Sequence, residues 1–258
     1  RRQRQMCIRD SYLTPQKCSF KNLGRINDLE ALAYSSNYFQ FLIAIGITGN
    51  TYKPNMQLNA TQEHFKIYRD MLASFGLGVK TNIDLPGETT GIIGSKVADD
   101  LLLNLAIGQY DTYTPIEVLQ YINSMASGSR LALSVMKEIK NGDEIIYENA
   151  INVLNDVNLN EEYLNRIREG LKLVLSEGTG KIYVRDDLLA VGKTGTSESF
   201  YDSNNDGLVD VATITSTFAG YFPEEDPKFS VVVITPNISH NNGTNSTCLL
   251  YTSPSPRD

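Results

Sequence analysis

The chain has 258 residues, of which 30 are acidic and 23 basic, giving a formal net charge of −7, and 41% are hydrophobic. An acidic balance of this size argues against a nucleic-acid-binding surface, so we expect no nucleic-acid partner. The longest apolar run, residues 39–47, is about half of the roughly 18 to 20 residues that a membrane-spanning helix needs.

The two ends of the chain have unusual sequences. Residues 1–10 (RRQRQMCIRD) and residues 248–258 (CLLYTSPSPRD) resemble translated sequencing-library adapters, and one short DNA element read on opposite strands accounts for both. We therefore expect both segments to be adapter-derived and not native, and residues 11–247 to form part of one domain. Between those ends Cys18 is the one cysteine, which predicts no disulfide and no cysteine metal site there.

The first part of the chain is predicted to be helical. Helical spacing of apolar residues predicts four helices: residues 26–47, residues 62–75, a helix that opens at Thr114-Pro115, and residues 160–176. The first of these patterns is interrupted by the polar segment Ser35-Ser-Asn37. Residues 84–88, with proline and glycine in succession, have the chemistry of a turn.

From about residue 180 the pattern changes to that of strands. Segments rich in Val, Ile, Thr, Tyr and Phe predict strands at residues 181–185, 189–197, 213–222 and 229–235. No internal repeat and no interdomain linker is visible, so residues 11–247 are interpreted as one unit.

Two short motifs resemble those of a known family. Tyr34-Ser-Ser-Asn37 and Lys193-Thr-Gly-Thr196 are similar to the second and third active-site motifs, S-x-N and K-T-G-T, of penicillin-interacting serine acyltransferases. Five further landmarks follow the family's order: residues 75–78 (FGLG), 83–88 (IDLPGE), 106–109 (AIGQ), 113–115 (YTP) and 177–180 (EGTG). Residues 11–247 therefore resemble the transpeptidase domain of class B penicillin-binding proteins, most nearly the elongation type of Gram-positive bacteria.

The resemblance implies a fold and an activity. The implied fold is α/β (α+β), like that of serine β-lactamases and penicillin-binding transpeptidases, with an antiparallel sheet beside a mainly helical subdomain and truncated at both ends. The implied activity is D,D-transpeptidation, in which a serine attacks the bond between two D-alanines, cross-links peptidoglycan stem peptides and is acylated by β-lactams. No cofactor and no metal is implied.

The same resemblance implies a cellular location and binding partners for the full-length protein. We expect it on the extracytoplasmic face of the bacterial plasma membrane, anchored by an N-terminal helix that this chain lacks. Its partners are expected to be peptidoglycan stem peptides, β-lactam antibiotics and cell-wall elongation proteins.

By resemblance, four residues are predicted to be catalytic. Ser35 would relay a proton to the leaving nitrogen, and the Asn37 amide would contact the substrate peptide group. Lys193 would supply positive potential near the substrate carboxylate and the Ser35 hydroxyl, and the backbone N–H of Thr196 would stabilise the oxyanion. Because Ser35 and Asn37 are two residues apart, a local non-helical turn is needed to aim both inward.

Four positions are predicted to bind substrate: Ser36, Thr194, Gly195 and Thr196. The threonine hydroxyls would contact the substrate carboxylate. Gly195, which has no side chain, would let an extended peptide approach the strand edge.

The family's first motif, S-x-x-K, which carries the nucleophile and base, is missing from its expected place, so this chain is predicted to be inactive. Ser134-Val-Met-Lys137 matches the motif literally, but it follows S-x-N instead of preceding it and is interpreted as non-catalytic. We also expect loss of a final helix to expose Phe218, Val231 and Val233, which predicts poor solubility.

Other interpretations stay open at this point. Within the same fold, the protein could be a serine β-lactamase or a β-lactam sensor domain; from a different class, it could be a non-catalytic cell-wall scaffold. Asp202–Asp210 spaces its oxygens as a calcium loop does, but position 213 is threonine where such loops have glutamate, so a hairpin tip is preferred.

Overall fold

The computed structural model describes residues 7–8, 17–18, 22–157, 159–181 and 186–238. The helices are α1 (Asp28–Ala33), α2 (Asn37–Ile47), α3 (Gln62–Ser74), α4 (Asp99–Ala106), α5 (Pro115–Ser127) and α6 (Glu161–Ser176). The strands are β1 (Cys7–Ile8), β2 (Lys17–Cys18), β3 (Ser129–Leu131), β4 (Glu138–Asn141), β5 (Glu144–Glu148), β6 (Val153–Asp156), β7 (Val191–Tyr201), β8 (Val211–Phe222) and β9 (Phe229–Ile238). None of these helices is both long enough and apolar enough to cross a bilayer.

The largest sheet in the described part of the chain is antiparallel, in the order β7-β8-β9. Its register places Lys193 opposite Ala219 and Thr194 opposite Phe218. Helices α5 and α6 pack against it and share a buried core with two residues of the sheet: Ile122, Met125, Leu164, Leu171, Val191 and Tyr221. This packing holds the strand that carries the K-T-G-T motif against α6, while α5 contacts the neighbouring strands β8 and β9.

Phe218 is buried, contrary to the expectation that it would be exposed. It packs with Val174 and Leu175 of α6 and with Val231 of β9, and it is 8% exposed. Because α6 covers this part of the sheet, the exposed apolar surface is smaller than the sequence suggested. The solubility of the chain stays a prediction.

A second core holds the helical part together. The buried residues are Tyr38, Phe41, Ala44 and Ile45 of α2, with Leu58 and Leu103. Helix α4, which contributes Leu103, was not predicted from the sequence. Helix α5 begins as predicted, because Pro115 follows Thr114, whose hydroxyl accepts a hydrogen bond from the Glu117 N–H in a capping box.

One buried ion pair ties α3 to the segment before α5. Asp111, whose side chain is fully buried, accepts hydrogen bonds from Arg69 Nε at 2.8 Å and Nη2 at 2.9 Å. The Gly94 N–H donates to the same carboxylate at 2.9 Å, and Arg69 Nη2 donates to the Gly94 carbonyl at 2.8 Å. The carboxylate is thus satisfied on several sides, as a buried charge requires.

Most predicted elements match the structure. The four predicted helices are present, the first divided into α1 and α2, and three predicted strands correspond to β7, β8 and β9. Most of the predicted strand at residues 181–185 lies outside the described residues. The Asp202–Asp210 segment is a hairpin tip between β7 and β8, which confirms the preferred interpretation.

Cys18 is disulfide-bonded, and in the β1–β2 pair its backbone is opposite Cys7. The expectation of no disulfide covered residues 11–247, in which Cys18 is the one cysteine, so the bond of Cys18 reaches outside that range.

Candidate active site

The polar segment that interrupts the first predicted helix forms a tight turn between α1 and α2. Its residue Ser35 has a left-handed backbone with φ of +52°, an uncommon conformation for a residue other than glycine. The next residue, Ser36, is buried, and its hydroxyl accepts a hydrogen bond from the Phe39 N–H at 3.3 Å as the N-cap of α2. Asn37 is the first residue of α2. The predicted non-helical turn is therefore present, and Ser36 has a structural task within it.

The K-T-G-T motif lies on β7. In the described part of the chain this strand pairs with β8 along one edge. The Lys193 ammonium donates hydrogen bonds to the Ser35 hydroxyl and to the Thr194 carbonyl, the latter at 2.7 Å. Folding thus joins two motifs that are 158 residues apart in sequence.

The surroundings of Lys193 change its acidity. Burial lowers the pKa of Lys193 to about 8, because removing an ammonium from water disfavours its charged form. A lysine with this pKa is still mostly protonated at neutral pH. It can nevertheless release a proton far more readily than a lysine in water, which suits a group that takes part in proton transfer.

All seven predicted site residues line one cavity of about 620 Å³: Ser35, Ser36, Asn37, Lys193, Thr194, Gly195 and Thr196. Much of the remaining wall is apolar, with side chains from four helices that include Leu32, Leu72, Leu105 and Tyr121. The site thus combines the Lys193 ammonium, neutral hydrogen-bond donors (hydroxyl groups, the Asn37 amide and backbone N–H groups) and an apolar floor. These features suit an anionic, extended ligand.

Within the K-T-G-T motif, Gly195 and Thr196 are the exposed residues. A Cβ atom added at Gly195 would come no nearer than 3.7 Å to the Thr217 side chain, an ordinary contact. Packing within the chain therefore does not demand glycine at this position. Because Gly195 has no side chain, a ligand backbone could approach the strand edge closely at this position.

Sequence reasoning missed one residue beside the site. The Thr179 hydroxyl lies 2.7 Å from the Thr194 hydroxyl, within hydrogen-bonding distance. In the sequence, Thr179 served as part of the EGTG landmark without a role of its own. The order of the landmark and the K-T-G-T strand gives no indication that their side chains meet.

The literal S-x-x-K match lies elsewhere. The Ser134 hydroxyl donates to Asp84 and to the Met136 carbonyl, and the backbone N–H groups of Val135 and Met136 donate to the same aspartate. These bonds hold a surface turn, and Ser134 does not line the cavity. This placement supports the interpretation of the segment as non-catalytic.

The Asp202–Asp210 loop uses its carboxylates internally. Asp202 accepts hydrogen bonds from the backbone N–H groups of Asn204, Asp206 and Gly207. Among the residues that the structure describes, no group of three or more His, Cys, Asp or Glu side chains is arranged to hold a metal ion.

Replacing Lys193 by methionine should change how stability depends on pH. In the folded chain the pKa of Lys193 is about 8, against an ordinary value of 10.5, so between these values the unfolded chain binds more protons and folding becomes more favourable as pH rises. The Lys193→Met variant lacks this contribution. In urea unfolding, the wild-type free energy of unfolding should gain up to about 2 kcal/mol relative to the variant from pH 7.5 to 10. Parallel pH curves would contradict the buried ammonium.

Comparison with known proteins identifies the family of the chain. The family described as penicillin binding protein transpeptidase domain matches residues 10–251. Penicillin-binding protein H of Bacillus subtilis is 40% identical over 237 residues, which cover 89% of this chain and 33% of that protein. Penicillin-binding protein 2A of the same organism is 35% identical over 228 residues, covering 85% and 32%. The chain thus spans about a third of the length of these curated relatives.

A solved structure gives the same result for the fold. Penicillin-binding protein 2B from Streptococcus pneumoniae strain R6 superposes with a TM-score of 0.79 and 26% identity, covering 90% of this chain and 40% of that chain. The predicted combination of helices with an antiparallel sheet is therefore confirmed. The chain belongs to the penicillin-binding protein transpeptidase family, and residues 10–251 match the transpeptidase domain of class B penicillin-binding proteins.

Proposed function

We propose that the full-length protein is a serine-type peptidoglycan D,D-transpeptidase that cross-links cell-wall stem peptides and is acylated by β-lactams. The observation that carries this proposal is the hydrogen bond from the Lys193 ammonium to the Ser35 hydroxyl, inside a cavity that also contains Asn37 and Thr196. Two side chains from distant segments meet there in an arrangement suited to proton transfer.

The proton relay follows from this contact. The Ser35 hydroxyl accepts a hydrogen bond from Lys193, so its own proton is free to be donated to the leaving nitrogen of the substrate. The ammonium can then return a proton to Ser35, and the lowered pKa of Lys193 makes that return easier. The relay delivers one proton to the leaving amine without a free charge developing on the serine.

The strand edge supplies binding and transition-state stabilisation. The Lys193 charge and the hydroxyls of Thr194 and Thr196 provide donors for the carboxylate that ends a stem peptide or a β-lactam. Gly195 leaves the edge open to an extended backbone. The Thr196 N–H would donate to the oxygen that gains negative charge during attack.

The nucleophile is proposed to come from a segment of the full-length protein that precedes this domain fragment. We expect an S-x-x-K helix to pack on the apolar floor of the cavity, where Leu72 and Leu105 would contact it and where its serine would lie near Lys193. Residues 1–10 and 248–258 are proposed to be adapter-derived, with residues 11–247 as the native domain fragment.

The proposed cellular location and binding partners are those of the full-length protein. An N-terminal membrane helix would place the domain on the extracytoplasmic face of the plasma membrane, where its peptidoglycan substrate is found. Cell-wall elongation proteins are the proposed protein partners.

The chain of 258 residues is expected to form no covalent adduct with benzylpenicillin. Intact-mass spectrometry after incubation should show the unmodified mass. The Ser35 hydroxyl accepts a hydrogen bond from the Lys193 ammonium, which is not a base while it is protonated, and Ser134 lies outside the cavity. The Ser134→Ala variant is the matched control for the literal S-x-x-K match. A penicilloyl adduct that this variant loses would show that Ser134 is the nucleophile and would contradict the proposal.

Long-read sequencing of the uninterrupted gene tests the missing segment. An upstream S-x-x-K preceded by a membrane anchor is expected. A complete frame without that motif would contradict the transpeptidase proposal and favour a non-catalytic scaffold. If the motif is present, the rate at which the acylated full-length protein loses penicillin separates a slow-turnover transpeptidase from a β-lactamase.

A further inference from the structure

The EGTG segment after α6 is a tightly packed turn. Its Gly178 N–H donates to the Leu173 carbonyl at 2.9 Å, and the Gly180 N–H donates to the Val174 carbonyl at 3.0 Å. A Cβ atom on Gly178 would lie 2.3 Å from the Ala33 carbonyl oxygen, a distance that real Cβ atoms do not tolerate. Glycine at this position therefore allows the turn to approach the end of α1.

The close approach brings Thr179 between the two halves of the site. Its N–H donates to the carbonyl of Ala33, two residues before Ser35, at 3.1 Å. Its hydroxyl lies 2.7 Å from the hydroxyl of Thr194 on β7. A single residue outside both motifs therefore contacts the segment that carries S-x-N and the strand that carries K-T-G-T.

The contact between the two hydroxyls constrains where their protons go. Two hydroxyl groups 2.7 Å apart share one hydrogen between them, so one donates and the other accepts. If Thr194 donates to a ligand anion, its single proton is committed to the ligand, and Thr179 must be the donor of the pair. A hydroxyl that accepts a hydrogen bond is also polarised into a stronger donor.

We propose that Thr179 is a positioning residue that donates to Thr194 and thereby turns the Thr194 proton toward the carboxylate of the ligand. This inference rests on the proposed function, since it takes the cavity to bind a carboxylate-bearing acyl donor. Thr179 contacts no ligand itself and acts through Thr194.

The test compares two variants and two probes in the full-length protein. Thr179→Val removes the hydroxyl at nearly constant volume, and Thr179→Ser retains it. Acylation rates are measured with benzylpenicillin, which carries the carboxylate, and with its methyl ester, which does not. We expect Thr179→Val to slow acylation by benzylpenicillin about tenfold and by the ester less than about twofold, while Thr179→Ser stays within about twofold of wild type.

A merely structural role for Thr179 gives a different result. A variant that distorted the strand would slow acylation by the acid and the ester equally, and this outcome would overturn the inference, as would an unchanged rate with benzylpenicillin. In the Thr194→Val background, Thr179→Val is expected to have less than about a twofold further effect, because the hydroxyl that it positions is gone.

The failures of the inference and of the proposed function can be told apart. If the wild-type full-length protein is not acylated, the proposed function fails and the role of Thr179 fails with it. If wild type is acylated and Thr179→Val reacts equally fast, only the role of Thr179 fails. Thermal unfolding checks that each variant is folded. If Thr179→Val does not fold, Thr179→Ala takes its place in the comparison with Thr179→Ser.

Discussion

Lys193→Met in the full-length protein is expected to slow acylation by benzylpenicillin by about 10²- to 10³-fold. The variant removes the only group observed to donate a side-chain hydrogen bond to Ser35 within the described residues, and it also removes the positive charge beside the proposed carboxylate site. A stopped-flow or labelled-penicillin assay measures the rate. Lys172→Met is the matched control, because Lys172 is exposed on α6 and pairs with Glu224 at 2.8 Å, away from the cavity.

The pH dependence gives a second readout of the same residue. Because the pKa of Lys193 is about 8, the ammonium is present below this pH and is lost above it, so acylation should decrease as pH rises through about 8. Lys193→Arg keeps its charge across this range and should lack the decrease. A Lys193→Met variant that is acylated at the wild-type rate would contradict the assigned role.

Asp111→Asn is expected to lower the free energy of unfolding of the chain by about 3 to 5 kcal/mol. The carboxylate is fully buried and is the ion-pair partner of Arg69, whose side chain is 19% exposed. Removing the negative charge leaves the partly buried guanidinium without a charged partner, with the neutral Gly94 carbonyl as its remaining acceptor among those described, and this costs more than the pair itself contributes. Urea unfolding followed by circular dichroism measures the change.

A neighbouring ion pair provides the control for this prediction. Lys66 and Asp70 pair on the exposed surface of α3, where their side chains are 59% and 62% exposed. Asp70→Asn should therefore change the free energy of unfolding far less than Asp111→Asn does, because water screens an exposed ion pair. If Asp70→Asn and Asp111→Asn lowered the free energy of unfolding equally, the buried pair would stabilise this fold no more than an exposed pair does.

How much of the fold could be predicted depends on the length and periodicity of each segment. Helices α3, α5 and α6 have 13 to 16 residues with apolar positions at helical spacing, so their pattern was readable. Helix α4 was missed because its eight residues, DDLLLNLA, contain three leucines in succession and show no clear period. Strands β3 to β6 have three to five residues each, too few for alternation to identify them.

The candidate site was predictable in its residues but not in its contacts. The motifs around Ser35 and Lys193 were recognised by resemblance, and the turn at Ser35 followed from the two-residue spacing to Asn37. The hydrogen bond between Lys193 and Ser35 joins residues 158 positions apart, and no local pattern encodes such a distance. The contact of Thr179 with Thr194 and the burial of Phe218 under α6 likewise arise from tertiary packing.

Peptide mapping of the full-length protein after reaction with benzylpenicillin tests the central claim most directly. The account predicts one penicilloyl group on the serine of an S-x-x-K motif that precedes Ser35 in the chain, with labelling reduced strongly in Lys193→Met. An adduct on Ser134 or Ser35, or no adduct on a folded full-length protein, would contradict it.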